Sequence, residues 1–159
     1  MYRTGIGFDV HALAEDQLLI IGGVQIPHQK GLQGHSDADV LVHAVMDAVL
    51  GSLALGDIGQ HFPDTDAEFK GANSLELLSH VSRLAEEKGF VCTNLDSIIM
   101  AEKPKMAPHL MEMKTNLASA LKIKMEQVSI KATTTERLGL IGREEGVAAQ
   151  AIVLLNSMT

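Results

Sequence analysis

The run Val147-Ala148-Ala149-Gln150-Ala151-Ile152-Val153-Leu154-Leu155 restricts the fold more than any other stretch of this chain. It is short and nearly continuous in apolar residues, the pattern of a strand covered on both faces. Residues 5–10, 18–22, 91–100 and 128–133 read as further strands. Apolar residues at helical spacing predict helices over 36–53, 74–88 and 107–121, the second closed by Gly89. Strands and helices interleave without an internal repeat, a linker or a low-complexity segment. The expectation is an α/β (α+β) chain with one domain over residues 1–159 and a mixed β-sheet with helices packed on one face. The other sheet face would be apolar and without helices, so a second copy of the chain would have to cover it.

Composition narrows the function classes. The chain has 159 residues, long enough for a proper core, and 46% of them are apolar. Aromatic residues are few, so Leu, Ile, Val and Met must fill the interior. Thirteen Lys and Arg against twenty Asp and Glu give a net charge of −7, which argues against nucleic acid or an anionic membrane as a partner. No apolar run approaches the roughly 18 residues that span a bilayer, and the N-terminus reads as neither signal nor transit peptide, so the expected location is cytoplasmic. Cys92, alone in a strand-like run, reads as a small buried residue.

Asp9-Val10-His11 carries the first chemistry. Side chains two apart on a strand share a face, so Asp9 and His11 project together. His43, on the first predicted helix, would supply a third ligand. Three ligands with one open position is how catalytic zinc is usually held. The entry to that helix is Gly34-His35-Ser36-Asp37-Ala38-Asp39, where Ser36 and Asp39 have the spacing of an N-cap pair. Asp39, His43 and Asp47 then recur one turn apart. A solvated stripe normally contains Lys, Gln or Glu, and this one has none; His43 between carboxylates looks like a ligand oriented from behind.

With Asp57-Ile58-Gly59 and Phe62-Pro63-Asp64-Thr65-Asp66, Lys131-Ala132-Thr133-Thr134-Thr135-Glu136 and Gly142-Arg143-Glu144-Glu145-Gly146, these segments fall in an order that resembles the 2-C-methyl-D-erythritol 2,4-cyclodiphosphate synthase family. The likeness runs from about residue 3 to 155. It implies a homotrimer whose sheets line a central axis, with active sites between subunits. It implies zinc on Asp9, His11 and His43, and a second divalent ion, Mg²⁺ or Mn²⁺, on Glu136. The implied reaction is cyclisation of a diphosphocytidyl substrate by its own 2-phosphate, with loss of CMP. That would explain why the chain shows no Ser/His/Asp or Cys/His nucleophile pattern.

The resemblance also implies roles around the substrate. His35 and Ser36 would hold the methylerythritol phosphate, Asp64 its hydroxyls, and Asp57 and Gly59 the ribose. Thr133 and Thr134 would meet the α-phosphate. Ala101, Lys105, Met106 and Ala107 would form a cytosine pocket, stiffened by Pro104 and Pro108. Arg143 would line the axis, where an isoprenoid diphosphate is the implied ligand, with a salt bridge to Glu144 or Glu145 as the competing use. Ala38 stands where members of the family often carry Gly. Two other readings use the Asp/His cluster differently: a zinc-dependent phosphodiesterase or nucleotidase with water as nucleophile, and a non-enzymatic trimer that binds isoprenoid diphosphates.

Overall fold

The computed structural model describes residues 1–63 and 65–158. Strands β1 (Tyr2–Glu15), β4 (Lys30–Leu32), β5 (Phe90–Met100), β6 (Val128–Thr133) and β7 (Gly146–Ser157) form one sheet in the order β4-β1-β7-β5-β6. β1 runs antiparallel to β4 and β7, β7 antiparallel to β5, and β5 parallel to β6, so the sheet is mixed as expected. Residues 18–22 do not join it. Ile20–Ile21 (β2) pairs only with Val24–Gln25 (β3) in a small separate hairpin, because Gly22 and Gly23 take left-handed conformations and turn the chain back at once. The first strand is also longer than its apolar core suggests, because β7 pairs with it from Tyr2 to Ala12.

Helices α1 (Val40–Ser52), α3 (Ser74–Glu87) and α4 (Leu110–Leu121) pack against β1 and β7, β5, and β6 respectively. The short helices α2 (Ile58–His61) and α5 (Gly139–Gly142) follow α1 and precede β7. α1 starts four residues later than expected. Its N-cap is Asp39, whose carboxylate accepts from the Val42 amide, and Ser36 stays in the preceding loop. α1 is buried nearly all round between the sheet and α3, which accounts for its lack of Lys, Gln and Glu.

The helix-facing side of β1 reads Gly5, Gly7, Asp9, His11. A Cβ at Gly5 would stand 1.9 Å from the Ala48 carbonyl oxygen, and one at Gly7 would stand 1.9 Å from that of Ala44. The two glycines therefore let α1 lie directly on the strand backbone, with the small residues Ala44 and Ala48 toward it. Two and four positions beyond Gly7, Asp9 and His11 meet the same helix at His43.

The other sheet face carries no helix. Ile6 is 62% exposed, Phe8 57% and Ile152 50%. Among the described residues β7 is thus open on this side at Ile152, although Gly146 and Ala148 on the same face are buried, and the expected apolar, uncovered face is present. Cys92 is buried at a β-bulge between β5 and β7, and burial pushes its thiol up to about 11.

Candidate functional site

Asp9, His11 and His43 converge. Asp9 Oδ2 lies 2.9 Å from His11 Nε2 and 3.0 Å from His43 Nδ1, and the two ring nitrogens are 3.1 Å apart. Four-coordinate zinc with bonds of about 2.0–2.1 Å needs donors about 3.3 Å apart, within a few tenths of an ångström of this triangle. The outer partners fit the same use. Neutral His11 donates from Nδ1 to the Gln33 carbonyl at 2.9 Å, which turns the Nε2 lone pair inward. His43 donates from Nε2 toward Ser74 Oγ at 3.0 Å, with Ser36 Oγ at 3.1 Å, leaving Nδ1 to face Asp9. Ser74 in turn donates its hydroxyl to Asp37, and its backbone N–H meets the other oxygen of that carboxylate at 2.9 Å. Among the described residues this triad is the only group of three such side chains placed to hold an ion.

Electrostatics follow from the geometry. Burial raises the Asp9 carboxyl, but hydrogen bonds and charge from His11 and His43 outweigh it and hold the group well below the usual carboxylate range. Burial lowers the His11 imidazole, and Asp9 with the Gln33 carbonyl overcomes this, leaving it raised.

The carboxylates one turn from His43 do not touch its ring. Asp39 is buried and accepts from the Gly22, Gly23 and Val42 amides at 2.8, 2.6 and 3.1 Å, tying the β2–β3 hairpin to the start of α1. Asp47 accepts from the Ile58 amide at 2.8 Å and anchors α2. The residues behind His43 are instead Ser36, Ser74 and Asp37. Ser74 is separated from His43 by 31 positions, so no local spacing marks it.

A cavity of about 390 Å³ opens over the triad, lined also by Gly34, His35, Ser36 and Gly59, with an apolar wall that includes Met46, Phe62 and Phe69. His35 and Ser36 thus line the same cavity as the three donors. Ala38 takes a left-handed conformation at φ 56°, a backbone shape that glycine adopts more readily than alanine. Asp57 caps α2 through the Gln60 amide at 3.0 Å, next to Gly59. Asp64 lies outside the described residues.

The remaining candidates gather elsewhere. Ala101, Lys105, Met106, Ala107, Thr133 and Thr134 line a second cavity of about 220 Å³, together with Glu102, Pro104 and Ala132. Glu136 follows on an exposed turn. Val10, Ala148, Met100 and Thr133 are side by side across the sheet. Three strand spacings therefore separate β1 from β6, about 14 Å. Arg143 pairs with Glu145, Nε to Oε1 at 2.8 Å and Nη2 to Oε2 at 3.2 Å, while Glu144 meets Lys103 at 3.2 Å. The competing use of Arg143 is thus the contact present. Sequence reading gave no role to Glu102, Ser74 or Asp37: the partners of Glu102 and Ser74 lie outside local spacing, as does the Ser74 contact of Asp37, which otherwise accepts from the nearby Asp39 amide.

The chain is similar to known proteins over nearly its whole length. The YgbB family profile matches residues 2–156. The 2-C-methyl-D-erythritol 2,4-cyclodiphosphate synthase of Alkaliphilus metalliredigens is 62% identical over 151 residues, 95% of each chain. IspF of Plasmodium falciparum, solved as a CDP complex, is 31% identical with a TM-score of 0.87 over 99% of this chain and 97% of its own. The bifunctional IspDF of Campylobacter jejuni is 46% identical with a TM-score of 0.95, and the present chain spans 99% of itself but 42% of that longer protein. Matched over nearly its whole length at this identity, and with the fold in common, the chain belongs to the YgbB family, alongside the 2-C-methyl-D-erythritol 2,4-cyclodiphosphate synthases.

Proposed function

We propose that this chain converts 4-diphosphocytidyl-2-C-methyl-D-erythritol 2-phosphate into 2-C-methyl-D-erythritol 2,4-cyclodiphosphate and CMP, in non-mevalonate isoprenoid biosynthesis. The observation that carries the reading is the inward convergence of Asp9, His11 and His43 at the floor of a cavity whose rim holds His35 and Ser36. In the reaction an oxygen of the 2-phosphate forms a bond to the β-phosphorus, the bond from that phosphorus to the α-phosphate oxygen breaks, and CMP departs with the electron pair. The nucleophile is already anionic near neutral pH, so no side chain has to remove a proton from it. Position and charge neutralisation supply the rate.

The ion on the triad is zinc in this reading, and it supplies charge neutralisation at the β-phosphate. His35 and Ser36 orient the methylerythritol phosphate, and Asp64 holds its hydroxyls. Thr133 and Thr134 donate to the α-phosphate, and Glu136 holds the Mg²⁺ or Mn²⁺. The backbone of Ala101, Lys105, Met106 and Ala107 reads cytosine, with Asp57 and Gly59 at the ribose. The CDP held by the Plasmodium falciparum relative supports a cytidine nucleotide as ligand.

β1, which carries Asp9 and His11, and β6, which leads into residues 133–136, lie about 14 Å apart across the sheet, so one copy does not bring both groups to a single diphosphate. The uncovered face bearing Ile6, Phe8 and Ile152 supplies a surface for further copies. The resemblance to the cyclodiphosphate synthases makes the assembly a homotrimer, and in this reading the triad of one copy works with residues 133–136 of its neighbour. An isoprenoid diphosphate at the axis would have to take Arg143 from Glu145.

Phosphorus NMR of the products from the diphosphocytidyl substrate tests the reaction. Cyclic diphosphate and CMP are expected. CMP with a linear phosphate would mean hydrolysis, and no turnover would leave only a binding protein.

A further inference from the structure

We infer that Glu102 is a positioning residue: its carboxylate holds the turn after β6 in the shape that aims Thr134 and Glu136, and so links the nucleoside-reading loop to the groups that meet the phosphates. The inference rests on the reaction proposed above for what those groups meet. Glu102 Oε1 accepts from the Thr135 amide at 3.0 Å and the Arg137 amide at 3.2 Å, and the Thr135 hydroxyl, 3.3 Å away, gives its one proton mainly to the nearer Leu138 carbonyl. Two peptide N–H groups two residues apart, converging on one oxygen, form a concavity of the kind that binds anions. Here the chain fills it with its own carboxylate, so these two amides are occupied and the substrate-facing work falls to Thr133, Thr134 and Glu136.

The turn needs such a clamp. Glu136 and Arg137 are consecutive non-glycine residues in the left-handed region, at φ 53° and 63°. That conformation is disfavoured for each and persists only where surrounding contacts impose it. The contacts present are the backbone bond from the Leu138 amide to the Thr135 carbonyl at 2.9 Å, the Glu102 bonds that brace the same turn from outside, Thr134 Oγ1 accepting from the Glu136 amide at 3.3 Å, and Thr135 Oγ1 donating to the Leu138 carbonyl at 2.8 Å. On the other side, Glu102 follows Ala101, whose amide reaches the Thr133 carbonyl at 3.0 Å and extends the β5–β6 ladder to the cavity mouth. One side chain thus joins a residue of the candidate cytosine loop to a turn 33 to 35 positions away.

The test compares E102A and E102Q in the full-length protein, measuring kcat and KM on the diphosphocytidyl substrate, CMP affinity by calorimetry, and amide exchange across residues 133–137. In E102A kcat should fall roughly 10- to 100-fold, as expected when reacting groups are misplaced by a fraction of an ångström to an ångström. CMP affinity should stay within about threefold, and exchange at 135 and 137 should quicken about tenfold or more. E102Q keeps a carbonyl oxygen for the same two amides and should recover to within about fivefold of wild type. Wild-type kcat with protected amides in E102A overturns the inference. So does a loss confined to CMP affinity, or an E102Q as impaired as E102A. If the wild type itself fails to turn over this substrate, the proposed reaction is what fails, and the exchange measurement still decides whether Glu102 holds the turn.

Discussion

Replacing Gly7 by Ala should disable the metal centre without touching a ligand. The new methyl carbon would start 1.9 Å from the Ala44 carbonyl oxygen and 2.8 Å from the Ala48 amide nitrogen, both backbone atoms of α1. Carbon and oxygen ordinarily approach no closer than about 3.3 Å, so α1 must retreat from β1 by roughly an ångström or more. His43, the residue before Ala44, moves with it, whereas Asp9 and His11 stay on the strand. Metal sites hold their donors to about 0.2 Å, so the triangle opens well past tolerance. Zinc should be largely lost, and turnover should drop on the order of a hundredfold. Overpacking should cost about 1–3 kcal/mol, lowering Tm by about 2–4 °C for each kcal/mol in a chain of this length. Equilibrium dialysis against zinc, steady-state turnover and thermal denaturation read the three effects. Gly51 is the control, because a Cβ there meets nothing nearer than 3.9 Å. G51A should keep its zinc and gain up to about 1 kcal/mol from helix propensity. A G7A protein with wild-type zinc affinity and turnover would refute the argument that these glycines seat His43.

Ser74→Ala removes the hydroxyl between His43 and Asp37, and should weaken zinc binding about 10- to 100-fold while circular dichroism stays unchanged; an unaltered affinity would show that the His43 ring is oriented by other groups. Mixing inactive His43→Ala chains with inactive Glu136→Ala chains should restore part of the activity, because some interfaces then pair an intact triad with an intact turn. If every co-assembled mixture stays inactive, the shared-site reading is wrong. Zinc affinity should fall with decreasing pH, since a protonated imidazole has no lone pair to give; because His11 is raised, the loss should begin above the ordinary imidazole range near 6.5, and titration with buffered zinc follows it. Cys92, its thiol pushed up to about 11, is thiolate in only about one molecule in a thousand at pH 8, so a thiol reagent should label it slowly in the native protein and fully after unfolding.

Local patterns carried much of this protein. Alternation along β1 placed Asp9 and His11 on one face, apolar spacing located α1, α3 and α4, and interleaving of the two periods indicated a mixed sheet with helices on one side. Such signals connect residues within a few positions, where backbone geometry alone decides which side chains share a face. Even there, Asp39 took the N-cap that Ser36 had been expected to hold, because the Gly22 and Gly23 amides, 17 and 16 positions away, also needed its carboxylate.

What tertiary structure decided lies between distant segments. Only packing shows that Gly5 and Gly7 seat a helix backbone, that Ser74 and Asp37 back His43, and that Glu102 clamps the turn after β6. The sequence pointed to an uncovered sheet face, but only the pairing of distant strands shows which side chains form it, Ile6 and Phe8 of β1 beside a half-exposed Ile152. The order of motifs along the chain likewise says nothing of the distance between them. The strand order places the triad and the 101–107 cavity on opposite sides of β7, and that separation, set by pairing registers between residues far apart in sequence, keeps the two cavities distinct within one copy.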